Sequence, residues 1–240
     1  MVPERMKEVS ALKVRIRFEK EGAMKFIGHL DIMRYFQKAF RRSGLDIQYS
    51  QGFSPHPLLS FAAPLGVGLE SSGEYMDVVL GDCPSSQEIV DCLNAQMVEG
   101  MRILSAVILP EDGKNAMSLV AAADYEMILK KEAEFSLEDG IEALLGQEQI
   151  KVLKKTKKSQ KEVDIRPMIY DMHVMKDAKG TGIFMRVASG SAANLKPEQV
   201  AQTLWESQGH KFDPLTVQIR RLEMYDSQMI PLEKYGEIHP

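Results

Sequence analysis

Cysteine, tryptophan and long apolar runs are scarce in this 240-residue chain, and each shortage removes a class of function. The two cysteines, Cys83 and Cys92, stand nine positions apart, which matches no zinc pair and no iron–sulfur triplet. They read as packed thiols of a reducing compartment. No stretch approaches the roughly 18 consecutive apolar residues of a membrane-spanning helix. The opening residues Met1-Val-Pro-Glu-Arg-Met-Lys-Glu hold no apolar core of a secretory signal, so the cytoplasm is the expected location. Walker, hydrolase-elbow and kinase signatures are all missing. Gly66-Val-Gly68 lacks the strand-to-helix setting of a nucleotide-binding glycine motif and reads as a turn.

What remains is an ordinary globular composition, 44% hydrophobic and 27% charged, long enough for one large domain or two small ones. The net charge of −4 hides a segregation along the chain. Residues 1–45 carry 11 basic and 5 acidic groups, residues 46–150 carry 4 and 18, and residues 151–240 carry 15 and 11. Basic segments thus flank an acidic middle. A basic face suits a polyanion such as RNA, and an acidic one suits a basic protein.

Periodicity orders the elements. Lys13 to Phe18 alternates as a half-buried strand. His29 or Asp31 opens a helix that ends before Gly44, and Leu58–Ala62 and Tyr75–Leu80 read as strands. Ser85 or Ser86 caps a helix reaching toward Gly100, and Met101–Leu109 is a further strand. Strand, helix, strand, strand, helix, strand is the ferredoxin-like order. Pro110-Glu-Asp-Gly113 marks a boundary, beyond which a similar order recurs. The expected fold is α+β, two ferredoxin-like (βαββαβ) halves packed side by side. The expected divisions are residues 1–110, residues 111–225 with a lysine-rich arm, and a tail over 226–240.

Four features carry functional expectations. Arg34, Lys38 and Arg41 share one helical face, with Arg42 beside them, and can neutralise phosphates. Leu30, Met33, Phe36 and Phe40 are expected to face the sheet. Tyr49-Ser-Gln-Gly-Phe-Ser-Pro-His-Pro57 is an aromatic loop in which Gly52 permits close backbone approach and two prolines hold His56 extended. Tyr49 and Phe53 offer flat surfaces for unstacked bases, with Gln51, Gly52, His56 and nearby Glu74 as further binding candidates. Lys151, Lys154, Lys155, Lys157, Lys158 and Lys161 form an acid-free basic arm, after which Asp164 and Arg166 are placed to pair. His29 and His56 are the candidates for acid–base work, but no local spacing makes them metal ligands, and no metal site is expected.

The strings Phe26-Ile-Gly-His-Leu-Asp31, Gln51-Gly-Phe-Ser-Pro-His-Pro57 and Gly73-Glu-Tyr75 resemble the bacterial radical SAM-linked proteins. That family's members stand alone or form the C-terminal part of cobalamin-binding-type radical SAM proteins. The resemblance spans residues 12 to about 225. It is weaker at Val163-Asp-Ile-Arg-Pro167 and Leu195-Lys-Pro-Glu198. It implies association with a radical SAM enzyme and, from the genes that neighbour such proteins, an RNA or ribosome setting. It implies no established activity. The three-cysteine cluster motif is absent here. An iron–sulfur cluster, S-adenosylmethionine and, in cobalamin-type partners, cobalamin would therefore be the partner's.

The expectation from sequence is thus a non-catalytic accessory module that binds RNA or a ribosomal substrate beside a radical SAM enzyme, with no membrane involved. The alternative is an RNA-processing or RNA-modifying enzyme that uses His29 or His56 as acid or base. That alternative needs the two histidines close together in an open cleft.

Overall fold

A computed structural model describes residues 11–82, 84–155, 160–178 and 180–240. In chain order the elements begin with β1 (Leu12–Lys20), α1 (His29–Ser43), β2 (Leu59–Phe61), β3 (Glu70–Leu80), α2 (Ser86–Asn94) and β4 (Met101–Ile108). A short α3 (Ala116–Leu119) precedes β5 (Ala122–Leu129), α4 (Leu137–Leu145) and the paired strands β6 (Lys151–Lys155) and β7 (Gln160–Asp164). Then follow β8 (Ile169–Asp177), β9 (Gly180–Ala188), α5 (Pro197–Ser207) and β10 (Val217–Tyr225). The chain forms two compact units. The first comprises residues 1–68, 73–119 and 231–240, and the second residues 69–72 and 120–230.

In the first unit the strands run β4-β1-β3, with β2 on β3. That is the ferredoxin-like order expected from the sequence. Phe36, Phe40, Ile89 and Leu93 from both helices pack on Ile16, Phe18, Met76 and Val78, so α1 and α2 cover the same face. Phe18 meets Phe36 and Phe61 edge-on, and Phe36 and Phe61 are tilted to each other, with ring centroids 4.8 to 5.9 Å apart. Leu30 departs from expectation. It is 65% exposed, and Ile32 is buried instead. Ile32 lies one turn before Phe36 on the buried stripe, whereas Leu30, six residues before Phe36, falls about 120° around the helix.

Ser85 caps α2 in a reciprocal capping box with Glu88, as its position suggested. The helix is shorter than the expected reach to Gly100. Its last residue, Asn94, turns its amide to β4, accepting from Ile103 N at 2.8 Å and donating to Ile103 O at 3.0 Å. The side chain thereby acts as a one-residue strand partner, and the chain leaves the helix there.

Residues 231–240 belong to the first unit. Leu232 is buried, Glu237 makes a bridge to Ile108, and His239 exchanges hydrogen bonds with Ser86. Buried Arg15 organises the same region. It holds Asp77 at 2.8 and 3.0 Å and donates to Leu232 O and Lys114 O, both at 2.9 Å.

The second unit repeats the topology. Its strands run β10-β5-β9-β8, all antiparallel, with the β6–β7 ribbon inserted between α4 and β8 as a separate two-stranded sheet. The first residues of β3 belong here as well, Glu70 and Ser71 pairing in parallel with Arg220 and Arg221. The ribbon's root is fixed. Ile150 and Ile165 are buried, and Asp164 accepts from Ile150 N at 2.9 Å. The expected Asp164–Arg166 side-chain pair gives way to backbone bonds. Asp164 accepts from Arg166 N at 3.0 Å, while the guanidinium donates to Leu145 O at 2.9 Å at the end of α4. A cation suits the negative end of a helix dipole better than a second bond to an already satisfied carboxylate.

Candidate nucleic-acid interface

The candidate surface of the first unit begins with α1. Gly28 caps its start, and Gly44, at φ 80°, ends it in the left-handed conformation that glycine adopts without strain. Arg34, Lys38, Arg41 and Arg42 are all exposed. Their electrostatic states differ. Asp31, in the first turn, pairs with Arg34 at 3.1 Å. Arg42 donates to the Gln96 side chain at 3.2 Å and so ties α1 to the chain after α2. Lys38 and Arg41 have no hydrogen-bond or ion-pair partner among the described residues. The usable positive charge therefore centres on Lys38 and Arg41, one turn apart near the end of the helix.

Seven residues beyond Arg42 the chain enters the aromatic loop expected from the sequence, which the structure closes as a hairpin. Tyr49 and Pro57 form its closing bridge, and Ser50 N donates to His56 O at 2.9 Å. The Ser50 hydroxyl accepts from His56 N at 3.1 Å and lies 2.9 Å from His56 Nδ1. Gly52 has φ 115°, a conformation that residues with a Cβ rarely adopt, so the tip turns tightly. Phe53 follows it and is fully exposed, while Tyr49 is 45% exposed. Gln51 and His56 are exposed as well. Residues 49–57 carry no formal charge with histidine neutral, so the hairpin offers stacking and hydrogen bonding rather than phosphate attraction.

The remaining candidates lie elsewhere. Glu74 is buried within β3. The ring of His29 packs edge-on to Phe61 at 5.3 Å, at the far end of β2 from the hairpin that holds His56. Each histidine thus has its own local partners, and no contact joins them among the described residues. Lys154 and Lys155 lie on β6, with Lys154 in register with Lys161 of β7. Lys157 and Lys158 fall outside the described residues. Lys151 pairs with Glu162 at 3.4 Å, so part of the ribbon's charge is compensated. No cluster of three histidine, cysteine or carboxylate groups that could hold a metal ion occurs among the described residues.

The second unit holds a polar network that sequence reading missed. Asp124 accepts from Arg186 at 2.7 and 2.8 Å and from the Tyr225 hydroxyl at 2.7 Å. The guanidinium also lies over the Tyr225 ring at 4.7 Å. Burial, then the hydrogen bond to Asp124, pushes the Tyr225 phenol up to about 12, and the same carboxylate raises the Arg186 pKa. Sixty-two residues separate Asp124 from Arg186, and no local motif marks them.

No helix among the described residues is long and apolar enough to cross a membrane. No curated protein matches the chain. A chain in the crystal structure of a Cbf5-Nop10-Gar1 complex is similar over 89% of this one, at 10% identity and a TM-score of 0.46. This chain spans only 50% of that one. An unknown protein from Galdieria sulphuraria is similar over 90% of this chain and 98% of its own, at 12% identity and a TM-score of 0.26. Likenesses this faint say nothing about activity. A family profile covers residues 13–197, and the chain belongs to that family, described as uncharacterized proteins conserved in bacteria (DUF2344).

Proposed function

We propose that the chain is a non-catalytic accessory module that binds RNA through the hairpin and helix of its first unit. The observation that carries this reading is Phe53. A fully exposed phenylalanine at the tip of a hairpin pinned by two backbone contacts gains nothing from solvent and contributes nothing to a core. A flat hydrocarbon ring held there is suited to an unstacked base, which single-stranded RNA offers and a duplex does not. Lys38 and Arg41 supply phosphate attraction without sequence preference, and the β6–β7 ribbon adds more of the same.

The partner in this reading is a radical SAM enzyme, by the resemblance of the 26–75 strings. An iron–sulfur cluster does not fit this chain's donors. Radical SAM chemistry needs three cluster thiolates, and the chain has two cysteines, nine residues apart. Cluster, S-adenosylmethionine and any cobalamin would belong to the partner, while this chain holds and orients the RNA. Binding of fluorescent single-stranded and duplex RNA, compared at low salt, tests the reading. Preference for the single strand is expected, and equal or absent binding would overturn it.

A further inference from the structure

The first unit also exposes an apolar patch that RNA binding leaves unexplained. Phe26 and Leu30 are each 65% exposed, Val67 is 62% exposed, and Ile27 is half-buried to exposed at 36%. Phe26 and Ile27 directly precede α1, and Leu30 is its second residue. A backbone bond of 2.8 Å from Gly68 N to Lys25 O ties the loop that carries Val67 to the residue before Phe26. The shape of this segment is imposed by buried Lys20, whose ammonium donates to Ile27 O at 2.8 Å, so the apolar side chains are displayed on a braced backbone.

We infer that this patch docks a protein partner whose surface presents apolar anchors flanked by carboxylates. Three of the four side chains are aliphatic. They have no ring face for a base and no donor for a phosphate, so a nucleic acid gains little from them. Clustered exposed aliphatic surface of this kind is instead matched by the apolar side chains of another protein. Charge selects the partner's sign. Lys25 lies 5.6 Å from the Phe26 ring, and the exposed stripe of α1 continues from Leu30 through Arg34 to Lys38 and Arg41. The acid on this stripe, Asp31, is already paired with Arg34. An acidic rim on the partner is complementary to that border, and a basic one is repelled.

The inference does not depend on RNA binding or on which enzyme the partner is. A photo-reactive amino acid is placed at Phe26, at Leu30 and, as a control, at exposed Leu215, in the full chain expressed in its native host. The protein cross-linked at the two patch positions and not at the control is then purified. Its affinity is measured for the wild-type chain, Leu30→Asp and Phe26→Asp over a salt series. Both side chains are exposed, so folding is retained, and thermal unfolding checks this. One protein species at both positions is expected, with affinity falling at least tenfold in each variant and weakening as salt rises. Cross-links to RNA, lipid or a second copy of this chain alone would overturn the inference. So would no cross-link, or a partner that binds the variants as well as wild type.

Discussion

Asp31 and Arg34 form an ion pair on the outer face of α1, with 3.1 Å between carboxylate oxygen and guanidinium nitrogen. The pair divides a stripe of cations that look equivalent in the sequence. Arg34 must surrender a partner before it reaches a phosphate, whereas Lys38 and Arg41 surrender none. Lys38→Ala and Arg41→Ala should therefore each weaken RNA binding more than Arg34→Ala. Asp31→Asn should strengthen it by releasing Arg34. Because both groups are exposed, the gain is small, about 0.2–1 kcal/mol at low salt. Binding isotherms at low ionic strength check the ranking, and equal losses at all three cations would refute it.

Arg15 and Asp77 are expected to govern stability rather than binding. Both are buried, and the guanidinium also holds the backbone at Leu232 and Lys114. Asp77→Ala leaves a buried cation without its counter-charge and should cost about 3–5 kcal/mol. Urea unfolding measures the loss. RNA affinity of the folded fraction should stay unchanged.

How much of this was legible beforehand depends on the kind of signal. Phe36 and Phe40 one turn apart and glycine at 44 specified α1, and Ser85 with Glu88 specified the start of α2, because those signals are local. The start of β3 was hidden. Glu70-Ser-Ser-Gly-Glu has no apolar alternation, and it is strand because Arg220 and Arg221 pair with it from 150 residues away. Residues 226–240 read as a tail for the same reason, since Ile108 and Ser86, the partners of Glu237 and His239, lie far back in the chain. In the site, a rigid loop was visible through Gly52 and its prolines, but its closure as a hairpin was not. Whether Phe53 turned inward or outward was not, because an aromatic on a loop has the same pattern either way.

Tyr225 gives a prediction in alkali. Its phenol is raised from an ordinary value near 10 to about 12 by burial and by the hydrogen bond to Asp124. A raised pKa means that the folded state favours the protonated phenol. Its contribution to stability is therefore complete below the ordinary value and is lost as pH rises through about 12. Ultraviolet absorbance should show a late-titrating tyrosine that is lost in Tyr225→Phe. Titration of every tyrosine in a single ordinary step would contradict the network.

Metal analysis separates the chain from its proposed partner. The chain purified alone should carry no iron or acid-labile sulfide, while the complex with a radical SAM protein should carry both. Stoichiometric cluster in the isolated chain would contradict the assignment of that chemistry to the partner.

The most direct test of the central claim is the affinity of single-stranded RNA across a salt series for wild type, Lys38→Ala/Arg41→Ala and Phe53→Ala. The account predicts that the double variant binds more weakly across all sequences and has a flatter salt dependence, because fewer counterions are released. Phe53→Ala should lose about 1–3 kcal/mol with its salt dependence unchanged, since stacking releases no counterions. Variants that match wild type throughout, or a wild-type chain that binds no RNA at low salt, would contradict it.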